Sequence, residues 1–117
     1  MRVTGFILLM ILSSTSIFAQ QSLDGIWQTG VDNTKIETYR KDGAWFGKII
    51  SSDNLKAKPG TDILRNFKKN GDSWEGQLYA IKKDKLVNAV IKPTENKLLI
   101  KVSVGFFTKN LEWLRVP

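Results

Sequence analysis

The sequence predicts an all-β protein: a closed, eight-stranded, antiparallel up-and-down β-barrel that follows an N-terminal signal peptide. Beyond residue 20, short segments of alternating apolar and polar residues are separated by turn signals, and no helical periodicity of useful length occurs. Short turns make strands that are neighbours in sequence neighbours in space, and eight strands can close into a barrel. Trp27 and Arg115 predict a seam between the first and last strands, because a guanidinium stacks well on an indole. An open two-sheet sandwich is the alternative.

Residues 1–19 have the pattern of a secretory signal peptide. Arg2 supplies the positive start, residues 5–12 form a short apolar core, and Ala19 precedes the expected cleavage site. The apolar core is shorter than the ~20 residues that a membrane helix needs. We therefore expect export to the periplasm or outside the cell, with no stable membrane span after cleavage. An uncleaved membrane anchor is the alternative. Residues 20–117 are expected to form one domain.

The first four strands are predicted from β-forming residues between turn signals. A Gly-x-Trp at 25–27 opens the first strand, and residues 36–39 favour the second. Lys-Asp-Gly at 41–43 is a strong hairpin signal. The third strand is partly apolar on both faces, which predicts either burial on two sides or a bulge at Gly47. The predicted ranges are 24–29, 34–41, 44–51 and 62–68.

The last four strands are predicted mainly from alternation. In the strand at 73–80, Trp74, Gly76, Leu78 and Ala80 share one face. The strand at 97–104 is the clearest amphipathic segment, and its even-numbered residues from 98 to 104 are expected to face the core. Leu111, Trp113 and Arg115 share a face of the last strand. The predicted ranges are 73–80, 85–92, 97–104 and 110–116.

The charge distribution of the chain limits which kinds of binding partner are expected. The chain carries +7, or +6 without residues 1–19, and its basic residues are spread rather than clustered. We interpret this as a solvated surface, with an anionic partner as the alternative. In the strand at 97–104, the clearest case, the lysines lie opposite the apolar row and no aromatic residue accompanies them, unlike the exposed face of a nucleic-acid-binding barrel. Export also removes the usual partner, so we expect no nucleic acid partner.

The residue types also argue against catalysis. The sequence has no histidine and no cysteine, which excludes the usual nucleophile pairs and zinc ligand sets. Most aspartates fall in predicted turns, where their side chains typically bond the backbone. We therefore expect that the protein is not an enzyme and that it binds no metal and no cofactor.

Several motifs, taken in order, resemble a known family. The Gly-x-Trp with a late Arg is similar to the calycin signature of lipocalins, fatty-acid-binding proteins and avidins. A longer ordered set of motifs comprises Gly25-Ile26-Trp27, Tyr39, Phe46-Gly47-Lys48-Ile49, Ile63-Leu64, Trp74-Glu75-Gly76-Gln77-Leu78-Tyr79 and Leu111-Glu112-Trp113-Leu114-Arg115. In this set the chain more closely resembles the exported bacterial family known as domain of unknown function twenty-one forty-seven. The resemblance implies a lipocalin-like barrel, periplasmic or extracellular, without an established activity. Members often have a longer loop where this chain has residues 52–60.

The aromatic residues have two interpretations, because they can fill a small barrel or wall a cavity. In the second case the protein binds a small apolar or lipid-like molecule inside the barrel. The alternative is a solid barrel that binds an envelope component or protein partner through its loops and basic surface. Of Phe106 and Phe107, we expect one to be exposed at the barrel mouth, unless the loop folds back onto the core. The candidate ligand-binding residues are Trp27, Tyr39, Trp45, Phe46, Phe67, Trp74, Tyr79, Trp113 and Arg115.

Overall fold

A computed structural model describes residues 22–117, and these residues form a closed barrel of eight antiparallel strands in sequence order. Each strand pairs with the next, and the last pairs with the first, so the described sheet has no open edge. The predicted up-and-down barrel is confirmed and the sandwich is excluded. The predicted signal peptide lies outside the described residues. The strands are β1 (Ile26–Gln28), β2 (Lys35–Lys41), β3 (Ala44–Ser51), β4 (Asp62–Asn70), β5 (Ser73–Ala80), β6 (Lys85–Pro93), β7 (Lys97–Val104) and β8 (Phe107–Arg115).

The strand bounds differ from the predicted ranges by at most three residues. β1 is shorter than predicted because Gly25, at a φ of 139°, turns the chain out of the strand direction. β8 is longer, because β7 and β8 are joined by a two-residue turn at 105–106. Gly105 has a φ of 62°. A positive φ is required at the first residue of a two-residue hairpin turn, and glycine is favoured there. A 3-10 turn at Ile81–Lys83 joins β5 to β6.

Alternate loops of an up-and-down barrel lie at the same end, which gives this barrel two distinct ends. We call one the mouth end; its four loops comprise residues 29–34, 52–61, 81–84 and 105–106. The other, the closed end, carries the remaining hairpin turns and the N-terminal segment 22–25.

The half of the barrel next to the closed end is packed solid. Its inward side chains are large and almost completely buried, as alternation in the strands predicts. Register places them in adjoining positions, with Trp27 opposite Ile36 and Leu98 opposite Trp113. The fully buried large side chains include Trp27, Ile49, Leu64, Phe67, Ile91, Leu98 and Ile100.

Phe67 reaches this core because of a bulge in β4. Asn66 has a φ of 58°, and the pairing register of β4 with β5 shifts between Arg65 and Lys68. The bulge turns both Leu64 and Phe67 inward, although their spacing of three would separate them in a regular strand. Gly76 makes the space for the ring, since a Cβ there would lie 2.7 Å from Phe67 Cγ.

The closed end is sealed by the N-terminal segment and Arg115. Leu23 is fully buried, and its carbonyl accepts hydrogen bonds from Trp27 Nε1 at 3.0 Å and from Thr38 Oγ1 at 2.8 Å. The Arg115 guanidinium lies over the Trp27 ring, 4.3 Å from its centroid. Its Nη1 donates to the Asp24 carbonyl at 2.9 Å and its Nε to the Glu95 carbonyl at 3.1 Å. The seam predicted from Trp27 and Arg115 is confirmed.

Candidate functional site

The mouth half of the barrel contains an open cavity of about 350 Å³, which we call the mouth cavity. Its walls come from inward-facing aliphatic side chains of β2, β4, β5, β6, β7 and β8. Ile36 and Trp113 lie deepest, because their strand partners Trp27 and Leu98 belong to the solid half. The aliphatic and aromatic walls are Ile36, Ile63, Leu78, Val87, Val102, Val104, Leu111 and Trp113.

The cavity exists because inward side chains become smaller toward the mouth end. Along β7 the inward residues change from leucine and isoleucine at 98 and 100 to valine at 102 and 104. On β5 the inward residue nearest the closed end is Trp74 and the one nearest the mouth is Ala80, with Gly76 and Leu78 between them. Smaller side chains on a barrel of constant strand number leave volume unfilled. The sequence therefore builds a solid half and a hollow half into one barrel.

Two loops at the mouth are fixed to each other. The Thr34 and Ser52 hydroxyls lie 2.7 Å apart and share a hydrogen bond, and the Asp53 backbone N–H donates to the Asp32 carbonyl at 2.8 Å. The β3–β4 loop then turns inward, so that the buried Ala57 side chain contributes to the cavity wall. These bonds hold one side of the opening in a defined shape.

The rim of the mouth cavity carries more positive than negative charge. Lys82, Lys83 and Lys109 line it, and we call them the rim lysines; Asp32 is the one carboxylate among the described lining residues. Lys109 is paired with Val102, whose side chain points into the barrel, so Lys109 shares that inner face at the opening. An apolar cavity with cations at its entrance is suited to an amphipathic molecule whose polar end is anionic.

The nine candidate residues separate into three places. Five of them occupy the solid half or seal the closed end. Trp45 and Trp74 meet edge to face there, with ring centroids 6.5 Å apart, and Arg40 and Lys69 lie over their outer faces. The five are Trp27, Trp45, Phe67, Trp74 and Arg115. None of the five lines the mouth cavity as described in residues 22–117.

Tyr39 and Phe46 lie on the outer wall, facing away from the interior. They are strand partners on β2 and β3, and their rings stack with centroids 5.8 Å apart. The Tyr39 hydroxyl donates to Asp62 Oδ1 at 2.6 Å. Partial burial, and then this bond to a carboxylate, raise the pKa of Tyr39 to about 12. The pair therefore stabilises the wall and does not reach the cavity.

Trp113 and Tyr79 are the two candidates that line the mouth cavity. Trp113 is buried in its floor, whereas Tyr79 lies at its edge on the outward parity of β5. The Tyr79 hydroxyl donates to Asp84, which raises the pKa of Tyr79, and Arg65 lies over its ring at 4.9 Å. Tyr79 is thus engaged in fixing the β5–β6 turn beside the opening.

Aromatic residues, as markers of a ligand site, do not indicate the aliphatic wall of the cavity. Alternation predicts that Val102 and Val104 face the core but makes no use of their small size. The decreasing size of the inward residues along β7 is the sequence signal that locates the cavity. Phe106 and Phe107 also differ from expectation, since both are exposed at the mouth end and the loop does not fold back.

Within residues 22–117, no group of three or more acidic side chains is placed to hold a metal ion. Within the same residues, no helix has the length and apolar character required to cross a bilayer.

The geometry defines a class: a small up-and-down barrel that fits a lipocalin-like fold, sealed at one end and hollow at the other. Residues 25–115 match the family model described as uncharacterized protein conserved in bacteria (DUF2147). The chain belongs to this bacterial family of unknown function, as the resemblance of its motifs predicted. Comparison with curated proteins and with solved structures found no match.

Proposed function

We propose that this protein is a binding protein that holds a small apolar or amphipathic molecule in the mouth cavity. The observation that carries the proposal is the cavity itself. Its volume of about 350 Å³ falls within the ~300–1,000 Å³ typical of ligand sites, and its walls are mainly aliphatic. Binding would be driven by removal of apolar surface from water, at ~25 cal/mol per Å². In a solid barrel that works only through its surface, side chains would fill this volume.

The rim lysines favour a ligand with an anionic end. Lys109 lies on the inner face of β8 at the opening, and Lys82 and Lys83 border it from the β5–β6 turn. A carboxylate or phosphate at the entrance would meet these ammonium groups while its apolar part occupies the interior. This arrangement favours a fatty-acid-like molecule over a neutral hydrocarbon.

We further propose that the protein binds without catalysis and acts outside the cytoplasm. Its sequence has no histidine or cysteine, and the described cavity walls carry no cluster of acidic side chains. Export rests on the signal-peptide pattern of residues 1–19. Fractionation of the native cells, with an intact mass for the recovered protein, tests it. We expect the exported fraction to contain a protein whose mass equals that of a chain beginning at Gln20. Full-length protein in the membrane fraction would point to an uncleaved anchor.

The primary test is native mass spectrometry of protein purified from its own cells, combined with solvent extraction of bound lipids. A stoichiometric apolar or amphipathic molecule is expected. Calorimetry with dodecanoate then examines the cavity directly, using two valine-to-tryptophan variants. Val104→Trp fills the cavity, whereas Val90→Trp adds the same ring on the outer wall.

Val104→Trp is expected to weaken dodecanoate binding about tenfold or more, since tenfold needs the loss of only roughly 60 Å² of apolar contact. Val90→Trp should bind like the parent chain. Lys109→Gln should weaken binding of dodecanoate but leave binding of dodecanol unchanged. Equal affinity in both tryptophan variants would refute the cavity as the binding site.

A further inference from the structure

The most exposed hydrophobic side chains of the described chain all lie at the mouth end. Phe106 is 103% exposed, Leu55 92%, Phe107 77% and Val31 54%. The other exposed large hydrophobic residues of the described chain, on the outer wall, do not exceed 51%. We call these four residues the loop tips, because they project from three separate loops around the opening.

The fold itself keeps the two phenylalanines exposed at the mouth end. β7 and β8 pair up to Val104 and Phe107, so Gly105 and Phe106 form a tight turn with no length to fold back. Phe106 stands at the apex of this turn, and Phe107 is the first residue of β8. Leu55 likewise lies on a turn of the β3–β4 loop, next to the buried Ala57 that anchors the loop. The exposure therefore follows from short, anchored loops.

Lysines surround the loop tips. The four mouth loops and the first residues of β8 carry five exposed lysines and three aspartates, a net charge of +2. The ion pairs found within residues 22–117 involve other lysines, on the outer wall and near the closed end. Of the three aspartates, Asp84 is engaged by the Tyr79 hydroxyl. The five mouth lysines are Lys56, Lys58, Lys82, Lys83 and Lys109.

We propose that the mouth end docks on an anionic lipid bilayer, with Phe106, Phe107 and Leu55 inserted between headgroups. Separate side chains that project from different loops can each enter a fluid interface, whereas a protein partner requires a continuous complementary patch of ~800 Å² per side. Lysines beside inserted aromatic and aliphatic groups are attracted to anionic headgroups. The docked face also contains the cavity opening. Docking does not depend on cavity binding, so the two proposals succeed or fail separately.

The test is sedimentation with sucrose-loaded vesicles. Residues 22–117 contain every strand and the buried core of the closed barrel, so the chain from Gln20 is used, with near-ultraviolet circular dichroism to verify its fold. One vesicle preparation has equal parts phosphatidylcholine and phosphatidylglycerol, and the other is phosphatidylcholine alone. Binding is expected to the anionic vesicles and to weaken as salt is raised.

Two matched double variants separate the loop tips from general hydrophobicity. Phe106→Ser with Phe107→Ser removes the inserted rings and should weaken vesicle binding about tenfold or more, because two large apolar side chains stay in water. Leu99→Ser with Leu114→Ser removes two exposed apolar residues of the outer wall and should leave binding unchanged. Lys82→Gln should weaken binding about fivefold.

Three results would overturn the proposal. One is the absence of sedimentation with anionic vesicles by the folded parent chain. Another is equal binding by the parent and the Phe106→Ser, Phe107→Ser chain. The third is a crosslinking result in cells: a photoreactive residue at position 106 that crosslinks to a protein and not to lipid. Dodecanoate binding is measured on the Phe106→Ser, Phe107→Ser chain and should be retained, since neither phenylalanine lines the cavity.

Discussion

Replacement of Trp27 by alanine is the most direct test of how the barrel is closed. The Trp27 side chain is fully buried and lies between Leu23, Ile36 and the Arg115 guanidinium. Deletion of a buried tryptophan typically costs about 3–5 kcal/mol, from lost transfer energy and from the cavity left behind. The Leu23 carbonyl keeps its bond from the Thr38 hydroxyl, so the variant leaves no unpaired acceptor there. We therefore expect Trp27→Ala to destabilise the protein by about 3–5 kcal/mol.

Urea unfolding followed by far-ultraviolet circular dichroism measures this loss without reliance on tryptophan fluorescence. In a domain of this size the same loss should lower Tm by about 12 °C or more. Leu114→Ala is the matched control, since Leu114 is on the same seam but points outward and is exposed. Its change should stay within ~0.5 kcal/mol, the usual range for a surface substitution. A loss below that value for Trp27→Ala would show that the indole is not buried at the seam, and would refute the register.

Two further changes probe the packing and the wall. Gly76→Ala should cost about 1–3 kcal/mol by overpacking, because its Cβ would lie 2.7 Å from Phe67 Cγ and from the Arg65 carbonyl. Urea unfolding of the Gly76→Ala, Phe67→Leu double variant should show a smaller loss than the two single losses combined, and strict additivity would contradict the contact. For Tyr39, the folded pKa of about 12 exceeds its unfolded value of 10.0. Its contribution to stability is therefore complete below pH 10.0 and is lost as pH rises toward 12. Tyr39→Phe should remove that part of the alkaline decline in Tm, and an unchanged decline would contradict it.

The fold was predictable from sequence because its information is local. Alternation predicted the shared faces of β5, β7 and β8, and the turn signal at 41–43 located the hairpin between β2 and β3. The bulge at Asn66 was not predictable, because it depends on how Phe67 packs against Gly76 of the neighbouring strand β5. No pattern within β4 itself records that contact.

The site was only partly predictable because a cavity is defined by volume that side chains leave empty. Trp113, one of the candidate ligand-binding residues, lines the cavity floor, and its contact with a ligand stays a prediction. Most other candidates were large aromatic residues, and large side chains fill the solid half of the barrel next to the closed end. Val102 and Val104 matter because they are small, a property that becomes meaningful only when their positions along the barrel axis are known.

The contacts of Arg115 also determine the order in which this protein can fold. Its guanidinium bonds the carbonyl of Asp24, a residue 91 positions earlier in the chain, and β8 supplies the partner that β1 needs to close the sheet. The hairpins between β2 and β7 can form from nearby residues, but the seam joins the two ends of the domain. Contacts between residues so distant in sequence make folding slow, because the loop between them must close first. A nascent chain therefore cannot complete the barrel until β8 has been synthesised, and a chain truncated before β8 would leave β1 and β7 as open edges prone to aggregation.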